Sequence, residues 1–439
     1  LILLNPVVLS VVVLVALSLA RVNVIIALLI AAVVGGLSAG LSVEGTVSTL
    51  VGGLGGQGET ALSYILLGIL AVMIARSGIT GFLIQRILPL IRGRRAIVLF
   101  LLAGLASLSQ NVIPIHIAFI PILIPPLLSI FNKMKVDRRG IATALTFGLK
   151  APYILVPVGF GLIFQGIIVD EMKANGMEIA LSQIPLAMAI PVGGMVVGLA
   201  IAILFTYRKP RDYKDIPTDF ASEVAATTEE ANDKWQWKHF ITLFGLAVTL
   251  VLQIAFGSLV LAALGGILII FIFRAETWKS GETVVEGGVK MMGAIAFVML
   301  VASGYASVLT ETGAVTDLVE STSSWIGDSY LLAAIVMMCV GLLVTIGIGT
   351  SFGTIPVLAA IFVPLCASIG FSPLATAALI GTSGAIGDAG SPASDSTLGP
   401  TSGLNVDGQH NHIWDTCVPT FLHYNIPLFI CGVIAALVL

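Results

Sequence analysis

Charge is scarce in these 439 residues: Asp, Glu, Lys and Arg make up 10% of the chain, against 57% hydrophobic residues. A soluble domain carries roughly 25% charged residues because its surface must face water. This chain has no such surface to offer, so its solvent is lipid. Cysteine is almost missing as well. The four present (Cys339, Cys366, Cys417, Cys431) form no CxxC pair and sit in or beside apolar runs. That excludes a disulfide framework and a thiolate metal site and leaves small core residues. There is no basic tail, and the net charge is −3, which argues against a nucleic-acid partner. Segment 1–20 lacks an A-x-A cleavage pattern and reads as a retained span, not a signal peptide. The first residue is Leu, so the numbering is expected to start inside a longer N-terminus.

What the chain does have is apolar length. A helix needs about 20 residues to cross a bilayer, and 1–20, 22–41 and 185–205 each supply them. One stretch, 208–238, is dense in Lys, Arg, Asp and Glu. It reads as a solvated cytoplasmic linker and divides the chain into nearly equal halves.

The halves are alike. Gly52-Gly53 precede an apolar helix ending in Arg76-Ser77-Gly78, and 235 residues on Gly287-Gly288 are expected to precede another, ending in Glu311-Thr312-Gly313. Ala142-Thr143-Ala144 matches Ala375-Thr376-Ala377 at an offset of 233. Chance likeness between apolar helices would scatter the offsets, so a duplication is expected. Short cytoplasmic loops collect Lys and Arg. Five spans per copy put 19 of the 21 basic residues in or beside inside loops, and an odd number of spans inverts the second copy. The expected fold is therefore an all-α membrane protein of two inverted-topology repeats, 1–207 and 239–439. In each, a segment flanked by basic residues or by polar turns goes in and comes back as a re-entrant hairpin. The first arm, 96–109, is about 14 residues at 1.5 Å each, too short to cross. The tips fall at Ser109-Gln110-Asn111 and Gly349-Thr350-Ser351, the second hairpin covering 331–369. Irregular backbone at membrane depth survives only inside protein or along a polar cavity, so a polar site is expected near the midplane.

The densest chemical signal is the run from Gly381 to Pro400, with glycines, Pro392, hydroxyls, Asp388 and Asp395. It follows an apolar helix, and its composition breaks that helix and frees carbonyl oxygens. Carboxylate, hydroxyl and carbonyl oxygens suit a hard cation such as Na⁺, and a buried carboxylate is also a proton carrier. Asp388, Ser391, Asp395 and Thr397 are the candidate Na⁺ ligands. The matching place in the first copy carries Lys150, with Pro152 and Pro157 expected to break its span. Lys150 is either a tethered cation standing in for a bound ion or a contact to a substrate carboxylate. Ser109, Gln110, Asn111, Thr350, Ser351 and Thr354 add neutral donors and acceptors at the tips, where helix capping is the competing explanation. His116 reads as structural. His410 and His412 have no third ligand at a metal-binding spacing, and His423 joins neither.

Gly349-Thr-Ser-Phe-Gly-Thr354, then Gly387-Asp388 through Ser391-Pro392-Ala393-Ser394-Asp395-Ser396-Thr397 and His412-Ile413, resemble the motifs of NhaC-type sodium–proton antiporters. Ser396 and Ala393 depart from the family pattern without removing a ligand oxygen. The resemblance implies an elevator transporter, a scaffold (1–95 and 239–328) carrying a mobile transport part (96–207 and 329–439), as a homodimer in the plasma (inner) membrane. It implies a site of Asp388, Ser391, Ser394 and Asp395. The inverted repeat adds Asn111, Lys150, Thr350 and Ser351. No cofactor is expected beyond Na⁺ or H⁺ as coupling ion. The cargo is a small solute, an amino acid being favoured because Lys150 opposite two aspartates suits a zwitterion, or the ions alone. An intramembrane aspartyl protease would need two carboxylates sharing a proton, and Ala385-Ile386-Gly387-Asp388 lacks the first glycine of a GxGD motif. A channel would leave the paired broken helices unexplained, so no enzyme and no pore is expected.

Overall fold

In the computed structural model the described residues are 4–20, 22–78, 94–111, 119–158, 160–214, 216, 236–256, 258–314, 317 and 329–439. Among them every regular element is a helix. The first half contains α1 (Pro6–Leu19), α2 (Val24–Ser38), α3 (Val43–Gly53), α4 (Gly58–Arg76), α5 (Arg95–Asn111), α6 (Phe119–Lys133), α7 (Arg138–Leu155), α8 (Phe160–Ala174) and α9 (Leu181–Thr206). The second contains α10 (Trp237–Phe256), α11 (Leu259–Ile272), α12 (Gly281–Glu311), α13 (Tyr330–Ile348), α14 (Ser351–Ile369), α15 (Pro373–Ala385), α16 (Asp395–Leu404) and α17 (His412–Val438). Asn23, Ser42, Asp137, Ser258, Ser329, Ser372 and Ser394 each accept a backbone N–H at a helix start. A side-chain oxygen there satisfies a donor that the first turn leaves without a partner.

The polarity is that of a membrane protein. Phe205, Val251, Phe256, Ile272, Ile430 and Val438 point outward, whereas Lys150, Arg138, Asp388 and a group of serines and threonines are buried. Apolar side chains facing out and charges facing in is the arrangement lipid imposes. Among the described residues, α9, α13 and α17 are each long and apolar enough to cross a bilayer, and α7 with α8 forms a longer pair bent by 48°.

The helices pack in two groups. α12 lies against α2, α3 and α4, with α1 on α2 and α10–α11 on α4. The other group is built on α7, α9 and α15, which hold α5, α8, α13, α14, α16 and α17 around them. The groups meet where α13 touches α1 and α12, where α6 touches α4, and where α16 touches α12.

Several expectations need correction. Gly287-Gly288 do not precede a helix but lie inside α12. A Cβ on Gly288 would fall 2.5 Å from the Ile69 backbone nitrogen, so this glycine lets α12 and α4 touch along their backbones. Pro152 does not break its span: it stays inside α7, and the helix ends about one turn later, at Leu155, before the break at Val156–Val158. α1 and α2 are 14 and 15 residues, shorter than the spans drawn from hydropathy. The arms of the second hairpin are 19 residues each, longer than half-crossings require. The first residues of the linker are not loose. Arg211 donates its N–H to Lys135 and its guanidinium to Asp415, Tyr213 accepts the Arg138 N–H, and Lys214 and Gln409 exchange hydrogen bonds. The rest of the linker, 215 and 217–235, lies outside the described residues.

Candidate functional site

Two interruptions create the site. The first is the end of α15. Gly384, Gly387, Gly390 and Pro392 deny the helix its continuation, and after one short turn (Asp388–Gly390) the chain is extended at Ser391, φ −68° and ψ 137°. Helix resumes when the Ser394 hydroxyl accepts the Ser396 N–H. The second is the turn between α13 and α14. Gly349 adopts φ 74° there, a left-handed conformation that a side chain makes costly. A Cβ on Gly349 would sit 3.3 Å from that of Ala393. The tip of the α13–α14 turn therefore rests on the broken stretch.

Asp388 is the centre. Its Oδ2 receives the Lys150 ammonium, the Ser351 Oγ–H at 2.6 Å and the Ser351 backbone N–H at 3.2 Å. Its Oδ1 receives the Ser394 Oγ–H. Lys150 also donates to Tyr153 Oη at 2.9 Å, and that oxygen is 2.9 Å from Ser351 Oγ. Lys150 and Asp388 are 4% and 1% exposed. A buried ion pair is tolerable only when its remaining donors and acceptors are met. Here one carboxylate oxygen is held by an ammonium, a hydroxyl and an amide, and the other by a hydroxyl. Lys150 comes from α7 in the first half, Asp388 from the α15–α16 break, and Ser351 from the first turn of α14.

Around this pair the freed carbonyls are met from within the protein. Ser396 Oγ donates to Asp388 O at 3.0 Å, and Thr397 Oγ1 donates to Ser391 O at 2.6 Å and lies 2.9 Å from Ser394 O. Thr146 Oγ1 on α7 donates to Ser396 O at 2.9 Å. Ser391 Oγ donates to Ile346 O on α13 at 3.1 Å. His412 braces the same stretch, one ring nitrogen 2.9 Å from Pro392 O and the other 2.8 Å from Thr401 Oγ1. His410 bonds Thr416 and His423 bonds Thr206; neither touches the pair.

The structure thus brings together Lys150, Ser351, Asp388, Ser391, Ser394 and Thr397. Asp395 and Thr350 are half-buried beside them, with Ser394 Oγ 3.5 Å from Asp395 Oδ1. The Ser394 hydroxyl therefore lies between the two aspartates. For the candidate Na⁺ ligands, both Asp388 oxygens are engaged, one of them by the Lys150 cation, and the Thr397 hydroxyl spends its proton on backbone carbonyls. A Na⁺ ion would have to displace or neighbour the ammonium, with Asp395 the second carboxylate beside it. Ser109, Gln110 and Asn111 form the last turn of α5, but their side chains lie outside the described residues, as does His116 altogether. Three participants were not singled out from sequence: Tyr153, Thr146 and Ser396. Tyr153 had a signal, since it stands three residues after Lys150 and so shares its helix face.

A profile of the Na⁺/H⁺ antiporter family matches residues 144–433, the stretch that holds every contact of the pair, and a second Na⁺-H⁺ antiporter profile matches 5–91. An uncharacterized membrane protein of Vibrio parahaemolyticus is 50% identical over 446 residues, covering 99% of this chain and 100% of its own. YuiF of Bacillus subtilis, named provisionally as an amino acid transporter, is 46% identical over 444 residues, covering 99% of this chain and 100% of its own. The solved structure of MtrF from Neisseria gonorrhoeae, described with a class of antimetabolite efflux pumps, covers 90% of this chain and 85% of its own at 14% identity and a TM-score of 0.46.

Proposed function

The chain belongs to the Na⁺/H⁺ antiporter family, a family of ion-coupled membrane transporters, and on that premise we propose that it carries a small amino acid with Na⁺ or H⁺. The observation that carries this reading is the Lys150–Asp388 pair, buried where a helix break and a helix–helix turn meet. A pair of opposite charges in a dry site can be opened only if each charge finds a new partner. A zwitterion brings both. Its ammonium takes the place of Lys150 at Asp388, its carboxylate takes the place of Asp388 at Lys150, and the net charge of the site does not change. Asp395, half-buried next to Ser394, is then the group to hold the coupling ion. The provisional name of YuiF agrees with this cargo.

A second reading keeps to the family's own name. Na⁺ binding between Asp388 and Asp395 would expel the Lys150 proton, which is an exchange of one ion for the other. The contact of the Ser394 hydroxyl with both carboxylates favours it. In both readings access alternates, and the proposed means is a scaffold drawn from both inverted repeats (1–95 and 239–328) carrying a transport part drawn from both (96–207 and 329–439). The division of the helices into one group around α12 and another around α7, α9 and α15 supports that division of labour. We further place the protein in the plasma membrane as a homodimer.

The test uses purified protein in liposomes with imposed Na⁺ or pH gradients. Amino acids presented singly should show saturable uptake and counterflow, and internal pH should report any exchanged proton. Na⁺-driven proton flux that no amino acid alters would remove the amino-acid reading and leave ion exchange.

A further inference from the structure

A second charged feature lies away from the ion pair, where the basic loops gather. A cavity of about 530 Å³ opens between α5 and the end of α9, lined by Arg95, Ala96, Leu99, Met134, Ile203, Tyr207 and Arg208. Its two cations are not neutralised. Arg95 spends its Nε–H on the Met134 carbonyl at 2.8 Å, and Arg208 is exposed; neither forms an ion pair among the described residues. The neighbouring basic groups are differently placed. Arg138 is clamped to Asp407, and Arg139 is held by Asp137 and stacked over Tyr207. Arg211 contacts Asp415 and Asp137. The nearby acidic groups are therefore already taken, and the cavity keeps a positive excess.

Its walls say what kind of anion fits. Leu99 and Ile203 are buried at the back. Beside the opening, Ile97, Phe100 and Leu101 on α5 and Ile201, Leu204 and Phe205 on α9 are all exposed apolar side chains. A free phosphate has no use for that surface. An acyl chain does.

We propose that this cavity binds the headgroup of an anionic phospholipid, its phosphate between Arg95 and Arg208 and its acyl chains along the exposed faces of α5 and α9. Two guanidiniums form geometrically matched hydrogen bonds to phosphate oxygens, and a basic pocket between helices on the cytoplasmic side is a place for such lipids. The lipid would join α5 to the start of the linker.

The experiment measures lipid retention and melting temperature of the purified full chain with added phosphatidylglycerol, phosphatidylcholine or inorganic phosphate. Phosphatidylglycerol should be retained and should raise the melting temperature. At about 1 kcal/mol per basic residue, Arg208→Gln should weaken retention roughly fivefold, and Arg95→Gln with Arg208→Gln roughly thirtyfold. Arg208→Gln alone removes no side-chain hydrogen bond among the described residues, so its result stands even if the double variant misfolds. Lys279→Gln, an exposed charge just before α12 that does not line the cavity, should leave retention unchanged. Equal retention of phosphatidylcholine, an equal loss with Lys279→Gln, or stabilisation by inorganic phosphate as strong as by the lipid would each overturn the proposal.

Discussion

Lys150 and Asp388 depend on each other more than either depends on anything else. Asp388→Asn takes from the buried ammonium its bonded carboxylate and leaves it the Tyr153 hydroxyl, and breaking a buried pair from one side costs about 3–5 kcal/mol. Lys150→Met strands the carboxylate in the same way. Both single variants should therefore melt well below the wild type. Lys150→Met combined with Asp388→Asn removes both charges, so most of the lost stability should return while transport stays absent. Thermal melting and liposome uptake on the same preparations check this, and a double variant no more stable than the singles would mean that the pair is not the unit described. Tyr153→Phe is the milder probe. It removes a hydroxyl that touches both Lys150 and Ser351, so affinity for the cargo should fall while the fold survives; unchanged uptake kinetics would leave Tyr153 a packing residue. This layer of the site was only half legible beforehand. Asp388, Lys150 and Ser351 announce themselves as polar residues in apolar surroundings, and Lys150 was expected to face a carboxylate from the other half. The hydroxyls of Ser396 and Thr146 look ordinary in sequence, because what distinguishes them is a carbonyl across the chain break, and no local pattern encodes that partner.

At the scale of elements, the breaks were readable and their positions less so. Glycine and proline in 381–400 foretold the end of α15, and Gly349 foretold the α13–α14 turn. Pro152 misled because a proline late in a helix can keep its place when the preceding turn tolerates the lost hydrogen bond, and the span ended instead at Val156–Val158. Gly287-Gly288 misled for the opposite reason. A glycine pair can mark either a helix boundary or a close helix contact, and hydropathy does not tell them apart. Gly349→Ala should cost about 1–2 kcal/mol through its left-handed backbone and should also press against Ala393. Because Ser351 rides on that turn, substrate affinity should fall together with melting temperature, and intact affinity would separate the turn from the site. A second element-level device ties the α6–α7 turn to the α16–α17 turn. Arg138 grips Asp407 at 2.6 Å and also bonds the Leu404 carbonyl. Burial alone would raise the Asp407 pKa, but Arg138 and the Gln409 donors outweigh it and hold the carboxyl below its ordinary value of 3.8. The unfolded chain then binds the proton more readily, so the contribution is full above the ordinary carboxylate range and is lost as pH falls through the lowered value. Melting curves between pH 3 and 6 should show wild type and Asp407→Asn converging toward acid; a gap independent of pH would assign the contact a purely steric role.

For the whole molecule the question is whether two helix groups move against each other, and the line where they touch offers the means to ask. The expected duplication rests on offsets of 235 and 233 residues and the expected linker on a run of charge, both properties of sequence alone. Packing between groups was not visible there, because apolar helices of similar composition can meet along many faces. Gly347 on α13 is where they do meet. A Cβ placed there would lie 3.2 Å from Val11 on α1 and 3.1 Å from Leu309 on α12, both in the group proposed as scaffold. The Val11 distance is to its Cγ2, the place a cysteine sulfur would take, so the two positions are candidates for a bridge. In a background with Cys339, Cys366, Cys417 and Cys431 replaced, Val11→Cys with Gly347→Cys should cross-link under mild oxidation. If α13 travels with Ser351 and Asp388 while α1 stays still, the bridge should stop uptake and a reductant should restore it. Cargo binding should persist in the oxidised form, since no ligand of the Lys150–Asp388 pair lies on α1. Uptake that continues at the original rate with the bridge closed would mean that these groups do not slide past one another, and access to the pair would then have to change within the α7–α9 and α13–α17 group itself.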